Sequence, residues 1–71
     1  MKINVLGTGY VGLVSGICLA AKGHDVKCFD TNAETIKTLK RGKCHIHEKG
    51  LDNLLLDNIE NINFFELNKG N

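Results

Sequence analysis

The stretch Lys2-Ile3-Asn4-Val5-Leu6-Gly7-Thr8-Gly9-Tyr10-Val11-Gly12 decides the fold. Lys2–Leu6 is short, mostly apolar and rich in β-branched residues, and it reads as a buried strand bounded by a glycine. Three glycines follow at once in the spacing Gly7-x-Gly9-x-x-Gly12. Residues 11–22 then carry apolar side chains nearly all round: Val11, Leu13, Val14, Ile17, Cys18, Leu19, Ala20 and Ala21. That pattern predicts a helix covered on several sides. Gly12, Gly16 and Ala20 recur every four residues, on one helical stripe, so this helix can lie close to a neighbouring backbone. Lys22 and Gly23 supply its stop, a cation in the last turn and a glycine able to take the left-handed conformation.

Beyond the helix, Asp25–Asp30 alternates apolar and polar residues and ends in an acid, which predicts a second strand. Glycine spacing alone is weak evidence, but here it follows a strand, opens a helix, and is answered by an acid ending the next strand. Asp30 stands 18 residues after Gly12, near the separation of about 20 expected for a ribose-binding carboxylate. The chemistry suits a dinucleotide. Gly7 makes the tight turn, Gly9 lets a pyrophosphate approach the backbone, and Gly12 lets the helix pack on the strand. The first helical amides, near Tyr10, Val11 and Gly12, have no intrahelical acceptor, and they point with the helix dipole at an anion. Asp30 can accept hydrogen bonds from ribose hydroxyls, and its charge would repel a 2′-phosphate, so NAD is favoured over NADP. A plainer reading makes the glycines a bare turn and Asp30 a helix-entry cap. Thr31 is the better cap, in a Thr31-Asn32-Ala33-Glu34 capping box, and this leaves Asp30 for a ligand.

Further along, Ala33, Ile36 and Leu39 give a narrow helical stripe that Gly42 ends. Residues 43–50 have no clear period and read as a loop. Leu51, Leu54, Leu55 and Ile59 give a third helical face, and residues 63–67 a third strand. Strand, helix, strand, helix, helix, strand predicts a parallel sheet with right-handed crossovers. The expected fold is α/β: a three-stranded parallel sheet in the order 3-2-1, half of a doubly wound, Rossmann-type domain.

With 71 residues the chain allows one small domain, and such a chain buries only about 60% of the surface its unfolded form exposes. Nine Lys+Arg against eight Asp+Glu, a net charge of +1, argue against a nucleic-acid partner. The longest wholly apolar run, residues 17–21, is too short to cross a bilayer, and the N-terminus is no signal peptide. Three cysteines without a CxxC pair suit a reducing compartment. These features predict a soluble cytoplasmic chain.

Residues 1–16, with the string Gly7-Thr8-Gly9-Tyr10-Val11-Gly12-Leu13, resemble the N-terminus of the UDP-glucose 6-dehydrogenase family, whose wider group includes GDP-mannose dehydrogenase. Cys18-Leu19-Ala20, Gly23-His24-Asp25-Val26, Asp30 and the segment 42–51 continue the resemblance to about residue 65. It implies NAD as cofactor, held by Gly7, Gly9, Tyr10, Val11, Gly12, Asp30 and Thr35. Thr35 stands where the family often has a Lys or Arg at the adenosine end. His45 and Lys49 stand where prolines are usual, which predicts a looser loop. The resemblance further implies a two-step oxidation of the C6 hydroxyl of a nucleotide sugar to a carboxylate, with two NAD reduced. The family's catalytic cysteine, its lysine and its sugar-binding residues lie beyond residue 71, so no catalytic residue is expected here. Residues 1–71 then correspond to the first half of an NAD-binding domain, a fragment or truncated product inactive alone. The nucleotide sugar would be a partner only of a longer parent.

Two other readings stand beside this one. One is a non-enzymatic interaction piece: the first strand would have an unpaired edge, inviting self-association or pairing with the missing half-domain. The other is a different dehydrogenase of this fold, acting on hydroxyacids or hydroxyacyl thioesters. Among lesser signals, Cys44-His45-Ile46-His47-Glu48 reads as an exposed loop rather than a metal site. Lys37, Lys40, Arg41 and Lys43 suit a helix C-terminus. Cys18 and Cys28 are expected to pack as small apolar residues, and Cys44 to be the reactive thiol, in a loop among cations. Leu54, Leu55, Ile59, Phe64 and Phe65 are expected in the core.

Overall fold

The computed structural model describes residues 1–46 and 48–67. Strand β1 (Lys2–Leu6) leads through the glycine bend into helix α1 (Tyr10–Ala21), then β2 (Asp25–Asp30) and helix α2 (Ala33–Lys40). Helix α3 (Leu51–Asp57), a 3₁₀ turn at Ile59–Asn61 and strand β3 (Ile62–Glu66) complete the order. The sheet is parallel with β2 in the middle. Lys2 pairs with Asp25 and Leu6 with Phe29, while Val26 pairs with Ile62 and Asp30 with Glu66. The expected strand order holds.

Each element ends where its residues dictate. Gly23 takes a φ of 94° after α1, and its amide donates to the Ala20 carbonyl while that of His24 donates to Leu19. Gly42, at φ 82°, ends α2. The 3₁₀ turn holds Ile59, so the apolar face expected from Leu51 to Ile59 is a two-turn helix followed by a tighter coil. β3 consequently starts one residue early, at Ile62. The N-cap of α2 is Asn32 rather than Thr31: its side chain accepts the Thr35 amide at 3.2 Å.

The core lies on one side of the sheet. Leu13, Ile17 and Ala20 of α1 pack with Val26 and Cys28 of β2, Ile36 and Leu39 of α2, Leu51 and Leu55 of α3, and Ile62 and Phe64 of β3. Each fully buried Leu or Ile here stabilises the fold by about 2 kcal/mol. The stripe of small residues acts as its spacing predicts. A Cβ on Gly16 would meet Cys28 Sγ at 3.1 Å and Val5 Cγ2 at 3.6 Å, so α1 lies directly on the sheet.

The other side of the sheet is open, and this corrects several expectations. β1 is an edge strand covered on one face: Ile3 and Val5 are half-buried, but Leu6 is 78% exposed. Helix α1 is covered along one stripe only, leaving Val11 and Cys18 exposed. Phe65 stacks on Phe29 with ring centroids 5.4 Å apart on the open face and stays 41% exposed. Among the described residues, no layer covers the second face of the sheet at Leu6 and Phe65, and none covers the outward side of α1 at Val11 and Cys18. Cys44 departs in the opposite direction. It is buried in the core, its amide donates to Asp52 Oδ1 at 2.7 Å, and its thiol is pushed up to about 12 by burial first and by Asp52 second. A buried, protonated thiol is a poor nucleophile, so the expectation of reactivity at Cys44 is overturned. Cys28 is buried, as expected.

Candidate cofactor site

The bend between β1 and α1 assigns a separate task to each glycine. Gly7 has a φ of 92°, a left-handed conformation that favours glycine, and its amide donates to the Phe29 carbonyl at 2.7 Å, tying the bend to β2. A Cβ on Gly12 would collide with the carbonyl oxygen of Gly7 and touch Val5, so helix and bend are in closest contact there. Gly9 is different. It is the N-cap of α1 with φ −68° and ψ −177°, a conformation open to any residue, and a Cβ there would meet no atom within 4 Å. Nothing inside the chain requires this glycine, and the open space lies in front of the helix. The first helical bond runs from the Leu13 amide to the Gly9 carbonyl at 2.9 Å. The amides of Tyr10, Val11 and Gly12 precede that ladder, and no side chain caps them.

Asp30 ends β2 beside this bend. Its Oδ2 accepts the Thr8 amide at 2.8 Å and the Thr8 hydroxyl at 2.5 Å, and its Oδ1 accepts the Asn32 amide at 3.0 Å. These donors, the Thr8 hydroxyl foremost, pull its carboxyl down to about 2. Asp30 is therefore not left free as the sequence suggested. It closes a turn at the entry to α2 and holds the bend as well. Thr8, at an unspecified position of the glycine motif, is the residue that sequence reasoning missed. A hydroxyl next to a motif glycine was the available signal.

Tyr10 opens α1, half-exposed, and its phenol donates to Glu48 Oε2 at 3.2 Å. That bond, followed by the Glu48 charge, raises the phenol above its ordinary range. The contact draws the loop before α3 to the mouth of the bend. Val11, 78% exposed, stands beside Tyr10. Thr35 lies in the first turn of α2, with its amide committed to Asn32. The structure thus gathers Gly7, Gly9, Tyr10, Val11, Gly12 and Asp30 around the carboxyl ends of β1 and β2, with Thr35 one turn further out. Among the described residues of segment 44–48, the ligand-type side chains are set apart: Cys44 faces the core and Glu48 holds Tyr10, while His47 lies outside the described residues.

The family model described as "UDP-glucose/GDP-mannose dehydrogenase family, NAD binding domain" matches residues 1–70. The chain belongs to the UDP-glucose/GDP-mannose dehydrogenase family. NAD is the cofactor of the domain that these residues match. The match runs past residue 65, to which the resemblance in sequence extends. A UDP-glucose 6-dehydrogenase of Rhizobium meliloti is 52% identical over 59 residues, covering 83% of this chain. Among solved structures, the UDP-N-acetyl-mannosamine dehydrogenase Cap5O of Staphylococcus aureus superposes with a TM-score of 0.90 at 31% identity over 96% of this chain. The GDP-mannose dehydrogenase of Pseudomonas aeruginosa superposes with a TM-score of 0.87 at 36% identity over 92%. The chain spans 14% of the Rhizobium protein and 17% and 15% of the two solved chains. Among the described residues, no helix of this family member is long and apolar enough to cross a membrane.

Proposed function

We propose that this chain holds NAD at the bend Gly7–Gly12 and at Asp30, as the first half of the NAD-binding domain of a nucleotide-sugar 6-dehydrogenase. The observation that carries this reading is Gly9, a glycine with ordinary dihedrals and empty space where its side chain would stand. A diphosphate bridge fits that space against the amides of Tyr10, Val11 and Gly12, where backbone donors and helix dipole both favour an anion. Gly7 and Gly12 shape the bend, Asp30 receives the adenosine ribose, and Thr35 faces the adenosine end. The carboxylate charge of Asp30 disfavours a 2′-phosphate, which supports NAD over NADP.

For the whole protein we propose oxidation of a nucleotide sugar's C6 hydroxyl to a carboxylate in two NAD-dependent steps; the relatives named UDP-glucose 6-dehydrogenase and GDP-mannose 6-dehydrogenase support dehydrogenation at C6. Hydride acceptance is what the cofactor supplies. This chain's residues bind and orient it and provide no catalytic group. The reading also favours a cytoplasmic setting, in keeping with three free thiols.

The open edge of β1 supports a second element. Its outer backbone groups have no strand partner among the described residues, and Leu6 beside them is exposed. Such an edge pairs with another strand: the remaining half-domain when present, a second copy of this chain when not.

Titration of the chain with NAD, with Asp30→Ala as control, tests the cofactor reading. Saturable binding by the native chain that weakens at least tenfold in Asp30→Ala supports it. Equal affinity in both, or no binding to millimolar NAD, refutes it.

A further inference from the structure

We infer that Thr8 is a positioning residue, clamping Oδ2 of Asp30 so that its carboxylate is held ready for the ribose of the cofactor. The inference rests on the NAD reading above and extends it to how the acid is held. Thr8 is 1% exposed, the buried polar side chain among the described residues, although it sits in a bend whose neighbours Gly7, Gly9 and Tyr10 are exposed. Its hydroxyl turns inward and reaches a carboxylate 22 residues away.

An ionised carboxylate offers about four acceptor positions, two on each oxygen. Oδ2 accepts the hydroxyl and amide of Thr8, Oδ1 accepts the amide of Asn32, and the Thr31 amide also favours the charged form. A carboxylate held in this way is presented to a ribose hydroxyl at the mouth of the bend. Such a bond is charge-assisted, and its acceptor is fixed before the ligand arrives, which removes an ordering cost from binding. The clamp is not the only tie on the bend. The bend is already tied to β2 by the Gly7 amide on the Phe29 carbonyl, and β1 is tied by five register pairs. The low pKa of Asp30 agrees with the clamp, since its largest cause is the Thr8 hydroxyl.

The experiment is a double-mutant cycle on the full chain, with Thr8→Val, Thr8→Ser, Asp30→Ala and the combination of Thr8→Val with Asp30→Ala. NAD affinity is measured by calorimetry, after circular dichroism shows each variant folded. Thr8→Val is expected to weaken NAD about five- to tenfold, Thr8→Ser to stay within about twofold, and Thr8→Val to add nothing once Asp30 is gone. The same variants are titrated by carboxyl carbon NMR, which needs no ligand. The Asp30 midpoint should rise in Thr8→Val and return in Thr8→Ser. An unchanged NAD affinity or an unchanged midpoint in Thr8→Val overturns the inference. So does an equal loss with and without Asp30, which would mean that Thr8 acts on the cofactor or the fold directly. Failure of the native chain to bind NAD is a separate result: it removes the NAD reading, and this inference with it.

Discussion

The carbonyl oxygen of Gly7 occupies the space that a side chain on Gly12 would need. Two motif glycines five residues apart are thus in direct steric contact, and the obstacle is backbone rather than a flexible side chain. Gly12→Ala should therefore push α1 off the bend and destabilise the chain by about 1–3 kcal/mol. Urea unfolding of the variant beside the native chain measures this.

Gly9→Ala should behave in the opposite manner. The dihedrals suit alanine and the space is open, so stability should change by less than about 1 kcal/mol, the scale of an N-cap exchange. A methyl group in the diphosphate's place should still abolish measurable NAD binding. Unfolding and NAD titration of the same sample separate the two effects.

Asp30 makes stability depend on acid. Its folded pKa, about 2, lies below the unfolded aspartate value near 3.9. The folded state therefore binds the proton less readily, and the stabilisation is complete above pH about 4. It is lost as the pH falls through about 2. Asp30 stands near the surface, so added salt should shrink the effect. Unfolding midpoints between pH 5 and pH 2 should fall less steeply in Asp30→Asn than in the native chain.

Thiol labelling should pick out Cys18. It is exposed, whereas Cys28 and Cys44 are buried and pushed up to about 11 and about 12, burial being the first cause in both. A thiol-reactive disulfide at neutral pH should modify Cys18 rapidly in the native chain and all three cysteines in denaturant. Mass spectrometry after peptide digestion assigns the sites. Rapid native labelling at Cys44 would contradict its burial.

Leu6→Lys addresses the open edge. Leu6 is mostly solvent-facing, so the change should leave the unfolding midpoint nearly unmoved while adding a charge that opposes strand pairing. Sedimentation at increasing concentration should show less association in the variant than in the native chain.

Much of this was legible in the sequence because local chemistry and long-range packing agreed. The strand Lys2–Leu6, the glycine bend, the acid at Asp30 and the stops at Gly23 and Gly42 each carry their own signal in neighbouring residues. Misjudged positions depended on what lies across space. Val11, Cys18 and Phe65 have core-type side chains, but whether a second layer covers them is not written in their neighbours. Cys44 looked like a loop thiol among cations, and the nearby Asp52 and the adjacent core reversed that reading. Asn32 displaced Thr31 as cap because Asp30 accepts its amide and sets it ahead of Thr35. The Thr8–Asp30 pairing joins residues from two different strand ends and needed three dimensions to appear.

Tyr10 is the sole tyrosine, and the sequence has no tryptophan. Near-ultraviolet emission of the protein therefore originates at one phenol, bonded to Glu48 at the doorway of the glycine bend. The molecule carries its own optical probe at the place where a dinucleotide would arrive, and any event that parts that phenol from its carboxylate will register without an added dye.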